Sequence, residues 1–384
     1  MRAHRVVPVL SVLALVAVGL LAAATGAGAT APRAASNGGR AIVFSGEGNN
    51  LNAYESGPPF RHQRVITTRA DDPNGLDINA QICFFPGTKP GGTRWFIAGE
   101  DTGQPNPPQG WGIFALRGNR IGRLHAKKVG KLTPTYQGSL DNAENYGCGF
   151  LKDGRVLTTD VGNQAAGNGD GQLIVWFPPF NRTDVKYCKV DVGIATAGGI
   201  YVKRDKVFVA SARAPTGGVW TYTGPFPTSN TAAGGCSRTD GTGAPLATSV
   251  HKELFIPAGG PVATPNAIAP SPRGYYVSSV LSGVIAEFDR HGTFLRNVLA
   301  PAPGDTLGPE PYKTGTPLGI GVNRAGDLFY ADIGLVVTPD SVGPGDDTGT
   351  LRRIHFVRGR PQKPQIMDRH LAYPDGIGVL EPTG

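Results

Sequence analysis

Carboxylate and amide side chains recur at two kinds of position in this 384-residue sequence. One position lies just before a short segment that often contains Gly-Ile, and the other ends the apolar run that follows. The residues there that could do chemistry are Asn79, Glu100, Glu144, Asn145, Asp160, Asn163, Arg213, Asn266, Asp332 and Asp375. Most are hard oxygen donors, of which Ca²⁺ takes roughly six to eight. Because clustered carboxylates without a cation would repel one another, the pattern favours a divalent cation, most simply Ca²⁺.

The surrounding pattern is a repeat of short strands. The segment 264–299 divides into four pieces rich in β-branched and aromatic residues, separated by Gly- and Pro-containing turns. Those pieces are Ala267–Ala269, Tyr275–Ser279, Val284–Phe288 and Phe294–Leu299. This composition predicts a four-stranded antiparallel meander. One such meander cannot bury both of its faces, so it needs neighbours of the same kind.

The opening part of this meander occurs in five full copies and one partial copy. The copies are anchored at Gln81, Gly147, Gly199, Ala267, Gly319 and Gly376. The last copy, which begins at Pro374, lacks its later strands, and the segments 41–45, 51–54 and 64–67 can supply them. We therefore predict an all-β fold, a six-bladed β-propeller closed by pairing of its N- and C-terminal strands, which leaves no exposed sheet edge. A seventh blade is not expected, because the segment 213–260 is too rich in Gly, Pro, Ser and Thr.

This architecture predicts where the polar residues meet. In a propeller blade, the loop that enters the first strand and the loop that leaves the second lie on the same face. We therefore expect the carboxylates and amides to converge on one end of the central channel, below two long loops at 162–171 and 335–349. His251 lies in the connection before the fourth repeat, where it could reach this funnel as a general base.

The N-terminus has the pattern of a secretory signal. Residues 1–29 combine a basic start, an apolar stretch and the small-residue site Ala27-Gly28-Ala29. We expect cleavage there, a flexible segment over residues 30–40 and a single propeller domain over 41–384. The alternative is a retained membrane anchor, since the apolar run is nearly long enough to span a bilayer. The mature protein is expected to be secreted, without stable membrane insertion, and monomeric.

Charge and cysteine content narrow the function. Without Arg2 and Arg5 the formal charge falls from +8 to +6, and the basic residues are scattered. Nucleic-acid binding would require a clustered stripe with aromatic residues, so it is not expected. The four cysteines can form disulfides in an exported chain, in three pairings. The first choice is Cys83–Cys148 with Cys188–Cys236, because the first two lie in adjacent blades and the others flank the third repeat.

Two segments, TPNAIAPSPRGYYVSS and YPDGIGVLEPTG, resemble the strand starts of the gluconolactonase, regucalcin and strictosidine-synthase-like six-bladed propellers. In that family an Asn, an Asp and a Glu from different blades hold a divalent metal at the floor of the funnel. The resemblance implies Asn266, Asp375 and Glu144 as metal ligands here. Two features depart from the family: Glu144 precedes Asn-Tyr-Gly, and the Asp lies in the closing blade. Asn266 and Asp375 could instead serve only as turn residues.

Three functions remain open at this level. The favoured one is an exported metal-dependent hydrolase of a lactone or ester, in which Glu144 or Asp160 moves the proton. The alternative is a non-catalytic secreted propeller that binds a small molecule, a glycan or a protein. A lyase or a sugar oxidoreductase is less favoured. The sequence lacks the motifs of serine hydrolases, zinc proteases and nucleotide-binding enzymes, which argues against those classes.

Overall fold

The fold is described by a computed structural model that covers residues 40–48, 50–67, 77–87, 93–101, 110–133, 145–162, 171–213 and 216–382. The predicted signal segment 1–29, Glu144 and Asn163 lie outside these residues. Within them, no helix is long and apolar enough to cross a membrane. The one helical element in this part of the chain is a 3₁₀ turn at Ala232–Gly234.

Six sheets are arranged as the blades of a propeller, each built on four antiparallel strands, and two further short strands extend one of them to six. The closing blade contains β30 (Pro374–Leu380), β1 (Ile42–Glu47), β2 (Asn50–Glu55) and β3 (His62–Thr67), from the inside outwards. Blade 2 contains β4 (Asp77–Phe84), β5 (Arg94–Asp101), β6 (Gly110–Arg117) and β7 (His125–Leu132). Blade 3 contains β8 (Asn145–Phe150), β9 (Val156–Asp160), β10 (Gly171–Trp176) and β11 (Tyr187–Ile194).

The remaining blades follow the same order. Blade 4 contains β12 (Ala197–Lys203), β13 (Lys206–Ser211), β14 (Gly218–Thr223) and β17 (His251–Pro257). Blade 5 contains β18 (Pro265–Pro270), β19 (Gly274–Ser279), β20 (Val284–Asp289) and β21 (Phe294–Leu299). Blade 6 contains β22 (Pro317–Val322), β23 (Leu328–Asp332), β26 (Gly349–Ile354) and β29 (Gln365–Leu371). Short strands form outside this pattern: β15 (Arg238–Thr239), β16 (Pro245–Leu246), β24 (Leu335–Val337), β25 (Val342–Pro344), β27 (Phe356–Val357) and β28 (Arg360–Pro361).

The predicted closure is confirmed. Strand β1 pairs antiparallel with β30, with Ile42 opposite Leu380 and Ser45 opposite Ile377. The predicted meander at 264–299 is blade 5. The segment 213–260 forms no seventh blade: it supplies β14 and β17 of blade 4, and between them β15 and β16 leave to join the outer edge of blade 3.

Close contact between neighbouring inner strands explains the glycine in the repeat. A Cβ atom on Gly147, Gly198 or Gly319 would lie 2.4 Å from a carbonyl oxygen of the next inner strand. On Gly376 it would lie 1.5 Å from the carbonyl oxygen of Ala80. A side chain at these positions would therefore force the inner strands apart, so the Gly-Ile pattern reports the tight packing around the channel.

Hydrogen bonds and disulfides also join neighbouring blades. The Thr159 hydroxyl accepts from Gly147 N and donates to Gly198 O, at 2.7 and 2.6 Å, which ties blade 3 to blade 4. The disulfides are Cys83–Cys148, between β4 and β8, and Cys188–Cys236, between β11 and the β14–β17 connection. The predicted pairing is therefore confirmed.

Candidate functional site

A cavity of about 680 Å³ lies at the end of the ring where the inner strands begin. Its lining comes from the starts of inner strands and from the residues that follow second strands, as the blade geometry predicts. The hairpin β24–β25 also contributes to the wall. The predicted loop 335–349 therefore shapes the cavity, while most of the other predicted loop, 163–170, lies outside the described residues.

Polar residues line this cavity near the starts of inner strands, among them Asn79, Thr196, Asn266 and Asp375. These four come from four different blades. Among the described residues, the buried atoms Asn79 Oδ1, Thr196 Oγ1 and Asn266 Nδ2 have no hydrogen-bond partner. Buried polar atoms are nearly always paired in native proteins. These three therefore indicate a place where a ligand or solvent supplies the missing hydrogen bonds.

Asp375 is held in place by the neighbouring blade. Its carboxylate Oδ2 accepts a hydrogen bond of 2.9 Å from the backbone N–H of Ala80. The Tyr146 hydroxyl donates to the carbonyl oxygen of Asp375 at 3.3 Å. Ala80 has φ = 69°, in the left-handed region that non-glycine residues seldom adopt. Backbone strain of this kind is often found at functional sites, and here it directs an N–H at the buried carboxylate.

The walls of the cavity are mainly apolar. Val161, Val280 and Ile333 each lie just after a second strand, and β25 adds Val342 and Pro344. At the rim, apolar side chains face solvent: Val342 is 59% exposed, Tyr373 53% and Leu281 44%. A ligand with an apolar body would cover this surface, and its polar part would reach the inner end.

Sequence reasoning did not identify these walls, although the sequence carries a signal for them. The second strands end in a polar residue that is followed directly by an apolar one, as in Asp160-Val161, Ser279-Val280 and Asp332-Ile333. The prediction placed the polar residue in the site. The apolar neighbour is the one that lines the cavity.

The carboxylates predicted to face the channel, Glu100, Asp160 and Asp332, form hydrogen bonds with other residues of the protein. Glu100 accepts two hydrogen bonds from the Lys128 ammonium group, at 2.7 and 2.5 Å. Asp160 accepts from Gly162 N at 3.1 Å and from the Gln172 side chain at 3.0 Å. These contacts differ from the expected ring of carboxylates facing the channel, because each group fastens the loop or strand beside it.

Asp332 has the most extensive set of partners. It accepts from Thr316 N at 2.7 Å, from the Thr350 hydroxyl at 2.7 Å and from the Arg352 guanidinium at 2.9 Å. Its side chain is buried. Asp332 therefore fixes the connection into blade 6.

The remaining predicted residues lie in different places. Arg213 lines the cavity. Asn145 is buried, precedes the cavity-lining Tyr146 in β8, and donates from Nδ2 to Gly110 O at 2.7 Å. His251 is exposed and begins the outermost strand of blade 4, opposite Thr223, at the end of the blade away from the cavity. The expectation that His251 could reach the funnel is therefore wrong. Glu144 and Asn163 cannot be placed, because they lie outside the described residues.

A buried carboxyl group that the motifs did not single out as a site residue lies next to the cavity-lining Gly48. Glu47 accepts a 2.8 Å hydrogen bond from the Tyr54 hydroxyl, which also lies 2.9 Å from the Asp368 carboxylate. Burial raises the pKa of Glu47 to about 7. One hydroxyl proton cannot serve two carboxylates at once. When Glu47 is protonated, its own proton can be donated to the Tyr54 oxygen, and the Tyr54 proton then serves Asp368 of blade 6.

The oxygen donors that line the cavity agree with the predicted cation in chemical type. The described residues contain no group of three or more His, Cys, Asp or Glu side chains able to hold a metal. What lines the cavity is one carboxylate, Asp375, with the neutral oxygen-bearing groups of Asn79, Thr196 and Asn266. These hard oxygen donors fit Ca²⁺ in kind and do not fit a soft, thiolate-bound metal. Completing the coordination would need Glu144, water or the ligand itself.

Gln81, on the inner strand of blade 2, links three consecutive blades. Its side chain accepts from Ile200 N at 3.0 Å and from Cys148 N at 3.2 Å, and it donates to Ile200 O at 3.0 Å. Blade 2 is thereby connected to blade 3 and, beyond it, to blade 4. The sequence shows Gln81 only as the anchor of a repeat.

Comparisons with known proteins support the architecture. No family model and no curated protein match the chain. A chain in a crystal structure of a nidogen/laminin complex is similar with a TM-score of 0.51 and 7% identity, over 88% of this chain and 98% of that chain. A Bacteroides caccae protein of unknown function has a TM-score of 0.48 and 9% identity, over 89% and 99%. A luciferin-regenerating enzyme has a TM-score of 0.48 and 11% identity, over 88% and 96%. At 7% identity, the similarity to the chain of the nidogen/laminin complex shows the fold alone.

Proposed function

We propose that the cavity binds a small organic molecule with an apolar body and a polar end, and that the protein hydrolyses a lactone or ester bond in it. The observation that carries this proposal is the set of unpartnered buried atoms on Asn79, Thr196 and Asn266, at a mainly apolar cavity that Asp375 also lines. Such a combination of apolar walls with a few converging polar groups is typical of small-molecule sites.

A divalent cation, with Ca²⁺ as first choice, is part of the proposal. Asp375 and Asn266 would hold it, with Glu144 as the third ligand that the resemblance to gluconolactonase-like propellers implies. When bound, such a cation polarises a carbonyl group and lowers the pKa of a bound water. The Ala80 N–H keeps the Asp375 carboxylate oriented.

The chain's own groups divide the remaining tasks. The apolar walls exclude water around the body of the ligand and orient it, and Arg213 offers a positive charge on the cavity wall for an anionic substrate or product. Glu144 is the preferred residue for moving the proton. Asp160 is less suitable, because its carboxylate is already bonded to Gly162 and Gln172. His251 has no part in this mechanism.

Binding without turnover is the second candidate. It is favoured by the internal bonding of Glu100, Asp160 and Asp332, which leaves Asp375 as the carboxylate that lines the cavity within the described chain. A panel of lactones and aryl esters separates the two candidates. Hydrolysis that chelator removes and Ca²⁺ restores supports the first, and a ligand-dependent rise in Tm without turnover supports the second.

The variant Asp375→Asn keeps the size of the side chain and an acceptor for Ala80 N–H while removing the charge. We expect it to lower kcat/KM by at least about 100-fold. Asp340→Asn, an exposed change near the cavity rim, should leave kcat/KM unchanged. Hydrolysis that is insensitive both to chelator and to Asp375→Asn would overturn the proposed mechanism.

A further inference from the structure

The end of the ring opposite the cavity carries an excess of basic residues. This end, called the basic end below, is formed by the turns that follow the inner strands and the third strands of the blades. Exposed cations in these turns come from five of the six blades: Arg120, Lys186, Arg204, Arg290, Arg324 and Arg358. They are far apart in sequence, so a scan for basic clusters does not find them.

The charged groups of these six side chains form no ion pair within the described chain. None of their charged nitrogen atoms lies within 4.0 Å of a carboxylate oxygen among the residues that the structure places. The nearest exceptions are indirect: Glu381 accepts from the backbone N–H of Arg324 at 2.6 Å, and the pKa of Asp184, lowered mainly by its hydrogen bond from Arg182, is also lowered by the charge of Lys186. Other cations of the same turns do have partners, as in Arg155–Asp153 and Arg182–Asp184. Three carboxylates there lack a basic partner within that distance: Asp205, Asp289 and Glu381. Cations therefore remain in excess.

The opposite end carries exposed carboxylates at its rim. Those near the cavity mouth include Glu310, Asp340, Asp346 and Asp347, and exposed cations such as Lys313 also occur at this end. Asp340 lies in the turn between β24 and β25, and Asp346 and Asp347 lie between β25 and β26. The basic end and these rim carboxylates thus lie at opposite ends of the ring axis.

We propose that the basic end docks onto a planar anionic surface, namely the headgroup layer of a bilayer containing anionic phospholipid. The cations lie at turn tips around the ring, so a flat surface can contact all of them together, whereas a linear polymer would contact only those along its path. Each Lys or Arg near such a surface adds attraction, which fades beyond a Debye length of about 8 Å at physiological salt.

An exposed apolar residue supports a bilayer as the partner. Val357 is 47% exposed and precedes Arg358 in the β27–β28 hairpin, whose second strand begins with Arg360. An apolar side chain between cations suits the boundary between headgroups and acyl chains. Docking in this orientation would direct the rim carboxylates and the cavity mouth away from the surface, so the cavity would stay open to solution.

Co-sedimentation with vesicles tests the proposal. The protein lacking residues 1–29, the predicted signal segment, is mixed with vesicles of phosphatidylcholine alone or of phosphatidylcholine with phosphatidylglycerol. We expect binding to the anionic vesicles only, and release as salt is raised. Reversing four cations of the basic end should lower partitioning about 100-fold or more: Arg120→Glu, Lys186→Glu, Arg204→Glu and Arg290→Glu.

A matched control carries the same change in net charge on exposed cations of outer strands and of the cavity end: Arg64→Glu, Lys127→Glu, Lys313→Glu and Arg369→Glu. It should retain most of the binding. Equal loss in both variants would mean attraction by net charge alone and would overturn the proposal. Absence of vesicle binding would overturn it too, and so would binding to the soluble linear polyanion polyglutamate without binding to vesicles. Circular dichroism verifies that both variants are folded.

Discussion

The closing blade and blade 3 are held to their surroundings by different kinds of bond. Both disulfides involve blade 3, through Cys148 to blade 2 and through Cys188 to the β14–β17 connection. The same connection is joined to β11 by Lys189 and Asp240, an ion pair whose two side chains are fully buried. The closing blade has no cysteine, because the chain's four cysteines are all in these two bridges.

The closing blade depends on backbone pairing and on hydrogen bonds to its neighbours. Strand β30 pairs with β1, Tyr54 bonds to Asp368 of blade 6, and Asp375 accepts from Ala80 of blade 2. This blade also carries Asp375, the carboxylate of the candidate site. Ring closure and site geometry are therefore coupled in the closing blade, whereas none of the residues that cross-link blade 3 lines the cavity.

The largest effect is expected in blade 3. Lys189→Met leaves Asp240 buried without its cation, which should lower the free energy of unfolding by about 3–5 kcal/mol. Adding Asp240→Leu should recover much of the loss, because the buried charge is then absent. Denaturant unfolding measures both. As a control, Arg182→Met breaks an exposed pair with Asp184 and should change stability little. If Arg182→Met and Lys189→Met lowered the free energy of unfolding by similar amounts, burial of the Lys189–Asp240 pair would not be the cause.

A comparable effect is expected in the closing blade, with a different consequence. A Cβ atom on Gly376 would meet Ala80 O at 1.5 Å, so Gly376→Ala should cost at least about 3 kcal/mol. Because Ala80 N–H also orients Asp375, the folded fraction should bind ligand more weakly. Thermal unfolding and a binding titration measure the two effects. The control Gly308→Ala places its Cβ in open space and should be neutral. The coupling would be disproved by Gly376→Ala protein that is destabilised yet binds with normal affinity.

The closing blade should also make the stability of the protein depend on pH, through Glu47. Burial raises the pKa of Glu47 from 4.5 to about 7. Between these values the folded protein keeps a proton that the unfolded chain has lost, so the free energy of unfolding falls as pH rises. The slope is about 1.4 kcal/mol per pH unit, the full stability is present below 4.5, and the loss is complete once pH passes about 7.

The variant Glu47→Gln should flatten this dependence, because Gln accepts the Tyr54 hydrogen bond without ionising. Unfolding curves at several pH values between 4.5 and 7 provide the measurement. The exposed change Glu310→Gln should leave the slope as it is. An unchanged slope in Glu47→Gln would show that another group titrates.

The fold was predictable because its determinants repeat. The Gly-Ile segments, the turn residues and the partial last copy at Pro374 each follow from local sequence, and ring closure follows from their sum. The cysteine pairing was predictable for the same reason, since blade order places Cys83 next to Cys148.

The candidate site was predictable only in part. Strand starts gave Asn79, Asn266 and Asp375, because position along an inner strand decides which end a residue faces. The ends of second strands were misleading, since a residue such as Asp332 can turn towards a loop and bind Arg352 instead. That choice depends on partners from distant segments. The left-handed backbone of Ala80 has no local signature either.

The hydrogen bonds of Gln81 have a consequence for how the ring moves. This one side chain joins the inner strands of blades 2, 3 and 4, so their inner edges should move as a unit. The β24–β25 hairpin, which adds Val342 and Pro344 to the cavity wall, lies between two strands of blade 6 and outside this linked set. Changes in the hairpin should therefore alter the dwell time of a bound molecule while leaving the three linked blades undisturbed.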